Sequence, residues 1–179
     1  MKITLPDNSL RELPEGSSGY DLAKDIGPGL AKSAVAMTIN GIQKDLHDVI
    51  EGDVSASIIT IDSDEGIEIM RHTLTAQVLA RALKNIYPSS KLAIGPTIDN
   101  GFYYDIETED AISIDDLKKI EDEMTKIVKT KSSITKKLVS KEEALKIFKS
   151  QKETYKESII DESEPVSYTH LTLPTNREV

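Results

Sequence analysis

Hydrophobic and polar residues alternate in two short segments near the N-terminus in the way that is typical of β-strands. Residues 2–5 and 9–13 alternate on either side of a Pro-Asp-Asn segment, so they predict a β-hairpin. Residues 34–39 and 42–46 flank an Asn-Gly dipeptide, which is the preferred sequence of a type I′ turn. These two runs predict a second hairpin.

A helix and a last strand complete this first unit. Leu22 and Ile26 have helical spacing, and the Gly-Pro-Gly segment at 27–29 predicts the end of that helix. β-Branched residues at 54–61 predict a closing strand. Two strands, a helix and further strands within residues 1–62 have the element order of a β-grasp (ubiquitin-like) sheet, so we expect an α+β fold.

The rest of the chain alternates between helical and strand patterns. The polar, turn-rich residues 61–66 are the best candidate for a linker. A long helix is predicted at 68–86, and Ser113 and Ser140 are typical N-caps of two later helices. Strands are predicted at 91–94, 101–106 and 134–139, and a further helix is predicted at 153–160. This order predicts helices packed on an antiparallel sheet.

Residues 165–179 differ in composition from the rest of the chain. The Lys-, Glu- and Asp-rich pattern stops, no helical period is present, and the segment resembles translated sequencing-adapter DNA. We therefore expect it to be non-native or disordered, and we assign no function to His170. A natural disordered terminus is the alternative.

Composition and charge exclude several classes of function. Cysteine is absent, which excludes disulfides, thiol nucleophiles and zinc–thiolate sites within the chain. The three histidines are far apart in sequence, so no metal motif is present and no metal is expected. A net charge of −9 argues against a nucleic-acid-binding surface over the whole protein, although it is compatible with a local basic patch. No apolar run could span a membrane and the N-terminus lacks a signal peptide, so we expect a cytoplasmic protein.

His72 lies near the start of the long predicted helix. With about 100° of rotation per residue, it heads an apolar stripe that continues through Leu79 and Leu83. A second apolar patch includes Met70 and Leu74, so this half of the helix is expected to be buried on two sides. His72 is therefore either a core histidine with one backbone hydrogen bond or a functional residue.

Two further side chains are candidates for chemistry. Glycine and proline fix the backbone at 95–105, and strand geometry places Phe102 and Tyr104 on one face and Tyr103 on the other. Tyr104 therefore either lines a pocket or packs in the core. Lys156 is either a donor to a phosphate or carbonyl group or a solvated helix lysine.

Several of these segments together resemble one protein family, the bacterial threonyl-tRNA synthetases. Residues 1–62 resemble the TGS domain of that family, and residues 66–164 resemble part of its editing domain. The matching segments are ITLPD at 3–7, GPGLAKSA at 27–34, ING at 39–41, RH at 71–72, LAIGP at 92–96, DNGFYYD at 99–105 and ETYK at 153–156. The resemblance implies that the chain is an N-terminal fragment of such an enzyme.

The resemblance also implies a proofreading activity. Serine differs from threonine by one methyl group, which gives only about 1–3 kcal/mol of discrimination, so the family hydrolyses mischarged Ser-tRNA in its editing domain. His72 matches the first histidine of the family's H-x-x-x-H helix, and Lys156 matches a lysine that positions or activates the attacking water. Tyr104 matches a tyrosine that lines the serine or adenosine pocket. His72 and Lys156 are thus the implied catalytic residues, and Tyr104 is the implied substrate-binding residue.

The chain departs from the family's pattern in two places. Ala76 stands where the second histidine of the helix is expected, and Gln77 is expected to lie about 140° around an α-helix from His72. The C-x-x-x-H segment of the editing site and the aminoacylation core are absent. ATP, Mg²⁺ and Zn²⁺ are therefore expected only in the missing core, with no cofactor in this fragment.

The resemblance and the residues support one main interpretation and two alternatives. The main interpretation is the N-terminal region of a threonine-tRNA ligase, which contacts tRNA(Thr) and contributes to hydrolysis of mischarged Ser-tRNA without charging tRNA itself. For the full-length protein the resemblance implies a homodimer with no membrane partner. The alternatives are a non-enzymatic TGS-type module that binds RNA or a ligand, and a stand-alone trans-editing deacylase.

Overall fold

The chain folds as two compact units, Met1–Met70 and Arg71–Val179. The computed structural model describes residues 1–93 and 95–163 and the backbone of residues 168–172. Among these described residues, no helix is both long and apolar enough to cross a lipid bilayer.

The first unit is built on a five-stranded mixed sheet. Its strands are β1 (Lys2–Thr4), β2 (Leu10–Glu12), β3 (Ala34–Ile39), β4 (Ile42–Asp45) and β5 (Val54–Thr60). The strand order is β2-β1-β5-β3-β4, with β1 parallel to β5 and the other neighbouring pairs antiparallel. The α+β class is confirmed, and a sheet in which the hairpins β1–β2 and β3–β4 flank the single strand β5 is compatible with the predicted β-grasp.

The turn between β3 and β4 has the predicted type I′ character. Asn40 and Gly41 have φ angles of 50° and 81°, and this turn requires positive φ at both of its central residues. The Asn40 side chain also accepts a 3.0 Å hydrogen bond from the backbone N–H of Ser55, which connects the turn to β5.

Helix α1 (Gly19–Ile26) contributes to the core of the first unit. Ser18 and Asp21 form a capping box at its start, so two backbone N–H groups that the helix leaves unpaired are satisfied. The buried core cluster consists of Ile3, Leu22, Met37, Ile50 and Ala56. Its members come from the helix, the sheet and one loop, so the core depends on contacts between elements that are distant in sequence.

Helix α2 (Pro28–Ser33) follows α1 directly. Gly27 separates the two helices, and Pro28 occupies the first turn of the second one, where its missing N–H costs nothing. The Gly-Pro-Gly segment therefore ends one helix, as predicted, and begins another that the sequence analysis did not predict.

Helix α3 (Asp64–Thr73) begins inside residues 61–66, the predicted linker. The Gly66 N–H donates a 3.0 Å hydrogen bond to the Ser63 hydroxyl. Gly66 lies so close to the end of β5 that a Cβ atom there would come within 1.9 Å of the carbonyl oxygen of Thr60. The segment is thus a closely packed helix start.

Replacing Gly66 with alanine is expected to destabilise the first unit by about 1–3 kcal/mol, because the new methyl group fits only if the backbone at Thr60 moves. Thermal unfolding followed by far-UV circular dichroism measures this loss. Gly29→Ala is the matched control, since a Cβ atom at that helical glycine meets nothing within 4 Å. Equal melting temperatures for the two variants would contradict the close contact.

A π-helical turn interrupts the long helix that the sequence predicts. Helix α3 ends at Thr73, the π-helical turn covers Leu74–Leu79, and helix α4 (Ala80–Ile86) follows. At the end of the turn the Ala80 N–H donates to the carbonyl of Thr75, which lies five residues earlier. The prediction of one uninterrupted helix was wrong here.

The π-helical turn changes which faces of the helix are buried. Leu83 is fully buried and Leu79 packs beside it, whereas His72 is exposed. Because the turn shifts the spacing by one residue, His72 is separated from the apolar stripe that a regular α-helix would give it. Met70 and Leu74 are also exposed, at 39% and 36%, so the predicted burial on two sides was wrong.

The second unit otherwise consists of short strand pairs and three longer helices. Two pairs of short strands are antiparallel: β6 (Lys91–Leu92) with β9 (Ile106–Glu107), and β7 (Thr97–Ile98) with β8 (Gly101–Phe102). The three helices are α5 (Ile114–Lys129), α6 (Lys141–Ser150) and α7 (Thr154–Glu162). Ser113 and Ser140 cap α5 and α6 as predicted. The core of this part joins Leu83, Leu92 and Ile120, from α4, β6 and α5.

Strand β10 (Thr135–Val139) pairs antiparallel with strand β11 (Tyr168–Thr172). The second of these strands lies within residues 165–179, for which the sequence predicts no regular structure. Hydrogen bonds between strands join main-chain groups and depend little on the side chains. A segment whose sequence has no strand pattern can therefore pair with the open edge of β10. The other residues of that segment lie outside the described part of the chain, and its non-native origin stays a prediction.

Candidate functional site

The second unit contains a cleft of about 660 Å³. Its walls come from the helical segment at 72–84, the loop at 92–97 and the junction of α6 and α7 at 148–156. His72, Tyr104 and Lys156 all line it, although they are far apart in the sequence. The structure therefore brings the three predicted site residues to one place.

His72 lies at the rim of the cleft, in the last turn of α3, where its side chain is exposed. The neighbouring Arg71 fixes this end of the helix, because its guanidinium donates a 2.5 Å hydrogen bond to the carbonyl of Asp99 in the β7–β8 turn. The exposure of His72 excludes the core-histidine alternative and leaves the imidazole accessible to a ligand.

Tyr104 forms an inner wall of the cleft. Its ring approaches Gly95 so closely that a Cβ atom at Gly95 would lie 2.6 Å from the ring. Phe102 and Tyr104 are both half-buried and Tyr103 is 64% exposed, as the strand alternation predicts. Burial, with a contribution from the negative charge of Glu153, raises the pKa of Tyr104 to about 12. The phenol is therefore protonated at neutral pH and can donate a hydrogen bond.

A buried carboxylate, that of Glu153, connects the walls of the cleft. Glu153 is only 3% exposed, and its oxygens lie 2.6 Å from Lys84 Nζ and 3.9 Å from Lys156 Nζ. It also accepts a 3.4 Å hydrogen bond from the backbone N–H of Leu92. Through these contacts Glu153 joins α4, β6 and α7.

Lys156 is a partly buried cation next to this ion pair. Burial is the main cause that lowers the pKa of Lys156 below its ordinary value of 10.5. Glu153 opposes the shift, and the positive charge of Lys84 adds to it. The ammonium also lies 5.5 Å from the centre of the Phe148 ring. Because only 31% of its side chain is exposed, Lys156 is not a solvated helix lysine.

The sequence analysis missed Glu153 and Lys84. Glu153 precedes Lys156 by three residues, a spacing that brings two side chains together at the start of a helix, and this spacing is the signal that could have found it. Nothing in the pattern indicates that a glutamate in a Lys- and Glu-rich region is buried. Nor does the pattern show that Lys84 reaches it from another helix.

The cleft differs in charge from the chain as a whole. Its lining includes the cationic side chains of Arg81, Lys84 and Lys156 against the single carboxylate of Glu153, whereas the chain carries a net charge of −9. This local excess of positive charge favours an anionic ligand. Among the residues that the structure describes, no group of three or more His, Cys, Asp or Glu side chains is arranged to hold a metal ion.

A comparison with protein-family models concerns the N-terminal sheet and its helices. The model of the TGS domain matches residues 1–60. Residues 1–60 are a TGS domain. The TGS domain occurs in threonyl-tRNA synthetase among other proteins and fits a protein of translation, so this part of the chain suggests a role related to tRNA or another nucleic acid. The cleft lies outside the TGS domain, so the match by itself assigns it no activity.

Proposed function

We propose that the cleft is part of an editing site that hydrolyses the ester bond of mischarged Ser-tRNA, in a protein of the threonyl-tRNA synthetase type. The observation that carries the proposal is the meeting of His72, Tyr104 and Lys156 around one cleft. The TGS domain supports it, because the same domain occurs in threonyl-tRNA synthetase. On this proposal the partner is tRNA(Thr), the full-length protein is a homodimer, and aminoacylation with its ATP and metal ions belongs to another part of the enzyme.

The reaction requires a water molecule directed at an ester carbonyl. The water oxygen attacks the carbonyl carbon, the bond between that carbon and the ribose oxygen breaks, and the proton lost by the water ends on the ribose oxygen. Lys156 is suited to hold the water or relay its proton, since its lowered pKa increases the neutral fraction of the amine. Tyr104, as a neutral phenol, can donate a hydrogen bond to the ester carbonyl or to the ribose.

The size and charge of the cleft suit the aminoacylated end of a tRNA. A volume of about 660 Å³ is within the range of roughly 300–1,000 Å³ that is common for small-ligand pockets, and an aminoacyl nucleoside is a ligand of that class. The excess of cations in the lining attracts the adjoining phosphate, although the chain as a whole is acidic.

A module that binds RNA without turnover is the second candidate function. The TGS match favours it, because that match is independent of the cleft. This candidate predicts affinity for tRNA with no loss of the amino acid. A stand-alone deacylase, in contrast, predicts the same chemistry as the proposal.

Hydrolysis of Ser-tRNA(Thr) by the complete 179-residue chain tests the proposed function. We expect serine to be released faster than threonine is released from Thr-tRNA(Thr). His72→Ala should slow serine release about tenfold, which is roughly the effect of one lost hydrogen bond. The matched control is His47→Ala, at an exposed histidine of the TGS domain that contacts the Tyr20 ring. Binding of tRNA(Thr) without release of serine would reject the editing site in favour of the binding module.

A further inference from the structure

Gln77 lines the cleft, although a regular α-helix would turn it away from His72. The π-helical turn at Leu74–Leu79 is the cause. Hydrogen bonds in such a turn join residues five positions apart in place of four, which changes the directions of the side chains that it contains, and Gln77 lies within the turn. The expected separation of the two side chains around the helix was therefore wrong, and both face the same cavity.

The amide of Gln77 is available to a ligand. The side chain is half-buried, and within residues 1–93 and 95–163 the amide has no hydrogen-bond partner. Its neighbours on the same wall, Ala76 and Ala80, contribute only methyl groups. On the facing wall, Glu153 is already engaged by Lys84. Gln77 thus supplies a neutral polar group between two alanines of this wall.

A carboxamide matches the polar atoms of an aminoacyl group. It carries an acceptor oxygen and two donor hydrogens, whereas the lysine and arginine side chains of the cleft are donors only. An aminoacyl ester presents an α-ammonium, which needs an acceptor, and a carbonyl oxygen, which needs a donor. One carboxamide can satisfy either of them without placing a further charge in a partly buried site.

We propose that Gln77 binds the aminoacyl group of the ligand, and that the π-helical turn is what presents it to the cleft. This inference rests on the proposed function, because the ligand is taken to be an aminoacyl ester. It assigns Gln77 to the amino acid end of the ligand and not to the adenosine. The substitution of Gln77 should therefore change the affinity for one part of the ligand only.

Calorimetric titration of the complete chain with two probes tests this assignment. The first probe is adenosine, and the second is adenosine that carries serine through a 3′-amide in place of the ester, which is not hydrolysed. Gln77→Met keeps the length of the side chain and removes the amide. It should weaken binding of the serylated probe about three- to tenfold and leave the Kd of adenosine unchanged. Gln43→Met, at an exposed position of β4, is the matched control.

A second variant examines the π-helical turn itself. The double substitution of Ala76→Gln with Gln77→Ala keeps the composition of the turn and moves the amide by one position. Ala76 lines the same wall, but a side chain at position 76 leaves the helix about 100° around its axis from one at position 77. The amide then reaches a different part of the cleft, so this variant should lose as much affinity for the serylated probe as Gln77→Met does. Wild-type affinity would overturn the role that we assign to the turn.

The possible outcomes separate this inference from the proposed function. If Gln77→Met binds the serylated probe as tightly as the unsubstituted chain does, the role of Gln77 is overturned and the editing proposal is not. Equal weakening of both probes would also overturn it, since it would indicate a distorted cleft. Failure of the unsubstituted chain to bind the serylated probe would reject the editing proposal together with this inference.

Discussion

Replacing Glu153 with glutamine is expected to lower the free energy of unfolding by about 2–4 kcal/mol. Glu153 is buried, and the substitution would leave the ammonium of Lys84 without its counter-charge at 2.6 Å. Lys156 would also lose the carboxylate that lies 3.9 Å from its Nζ. The loss should be smaller than for a fully enclosed ion pair, because Lys84 keeps 26% of its side chain exposed.

Urea denaturation at neutral pH measures the effect of Glu153→Gln. Glu162→Gln is the matched control, since it makes the same change at an exposed position at the other end of α7, the helix whose N-cap is Glu153. We expect the control to stay within about 0.5 kcal/mol of the unsubstituted chain. A loss of less than 1 kcal/mol in Glu153→Gln would show that the Lys84 ion pair contributes little to the stability of this unit.

Replacing Lys156 with methionine should lower the rate of Ser-tRNA hydrolysis about 100-fold or more, which is typical for the loss of a group that moves a proton. The same substitution should not reduce stability. Glu153 keeps Lys84 at 2.6 Å, and the variant no longer has to bury the charge of Lys156. Lys149→Met, at an exposed position of α6, is the control for both measurements. Parallel losses of rate and stability would indicate that Lys156 is a structural residue.

The pH dependence of stability gives an independent measurement on Lys156. Its pKa is lowered in the folded chain, so the unfolded chain binds more protons between that pKa and 10.5. Stability therefore rises with pH across this interval, and the rise should be missing in Lys156→Met. Urea titrations at successive pH values up to about 10.5 measure the two slopes. Identical slopes would contradict the lowered pKa.

The elements of the TGS domain follow from its sequence because each strand or turn carries a local signal. The first hairpin carries alternating hydrophobic and polar residues, and Asn40-Gly41 is a dipeptide that readily adopts positive φ at both positions. Helix α2 was not predicted, because the Gly-Pro-Gly segment ends one helix and also begins the next. Local chemistry therefore sets the elements, while the strand order depends on contacts that are distant in sequence.

The cleft was predictable only in part. The resemblance to a family singled out His72, Tyr104 and Lys156, and they line one cavity. Glu153 and Gln77 were not predicted as site residues. The burial of Glu153 depends on Lys84, from another helix, and the placement of Gln77 depends on a hydrogen-bond pattern that a helical wheel with a fixed repeat does not contain. Both errors have the same origin, since periodicity describes one element at a time.

The π-helical turn makes the number of residues between α3 and α4 matter as well as their identity. Removing a single residue from 74–79 would rotate the two helices relative to each other by about a quarter of a turn. Leu83 could then stay in the core only if His72 turned away from the cavity. If His72 stayed at the cavity, Leu83 would leave the core. A substitution within the segment should change the contacts of one side chain, whereas a deletion of one codon should cost the chain either its packing or its ligand.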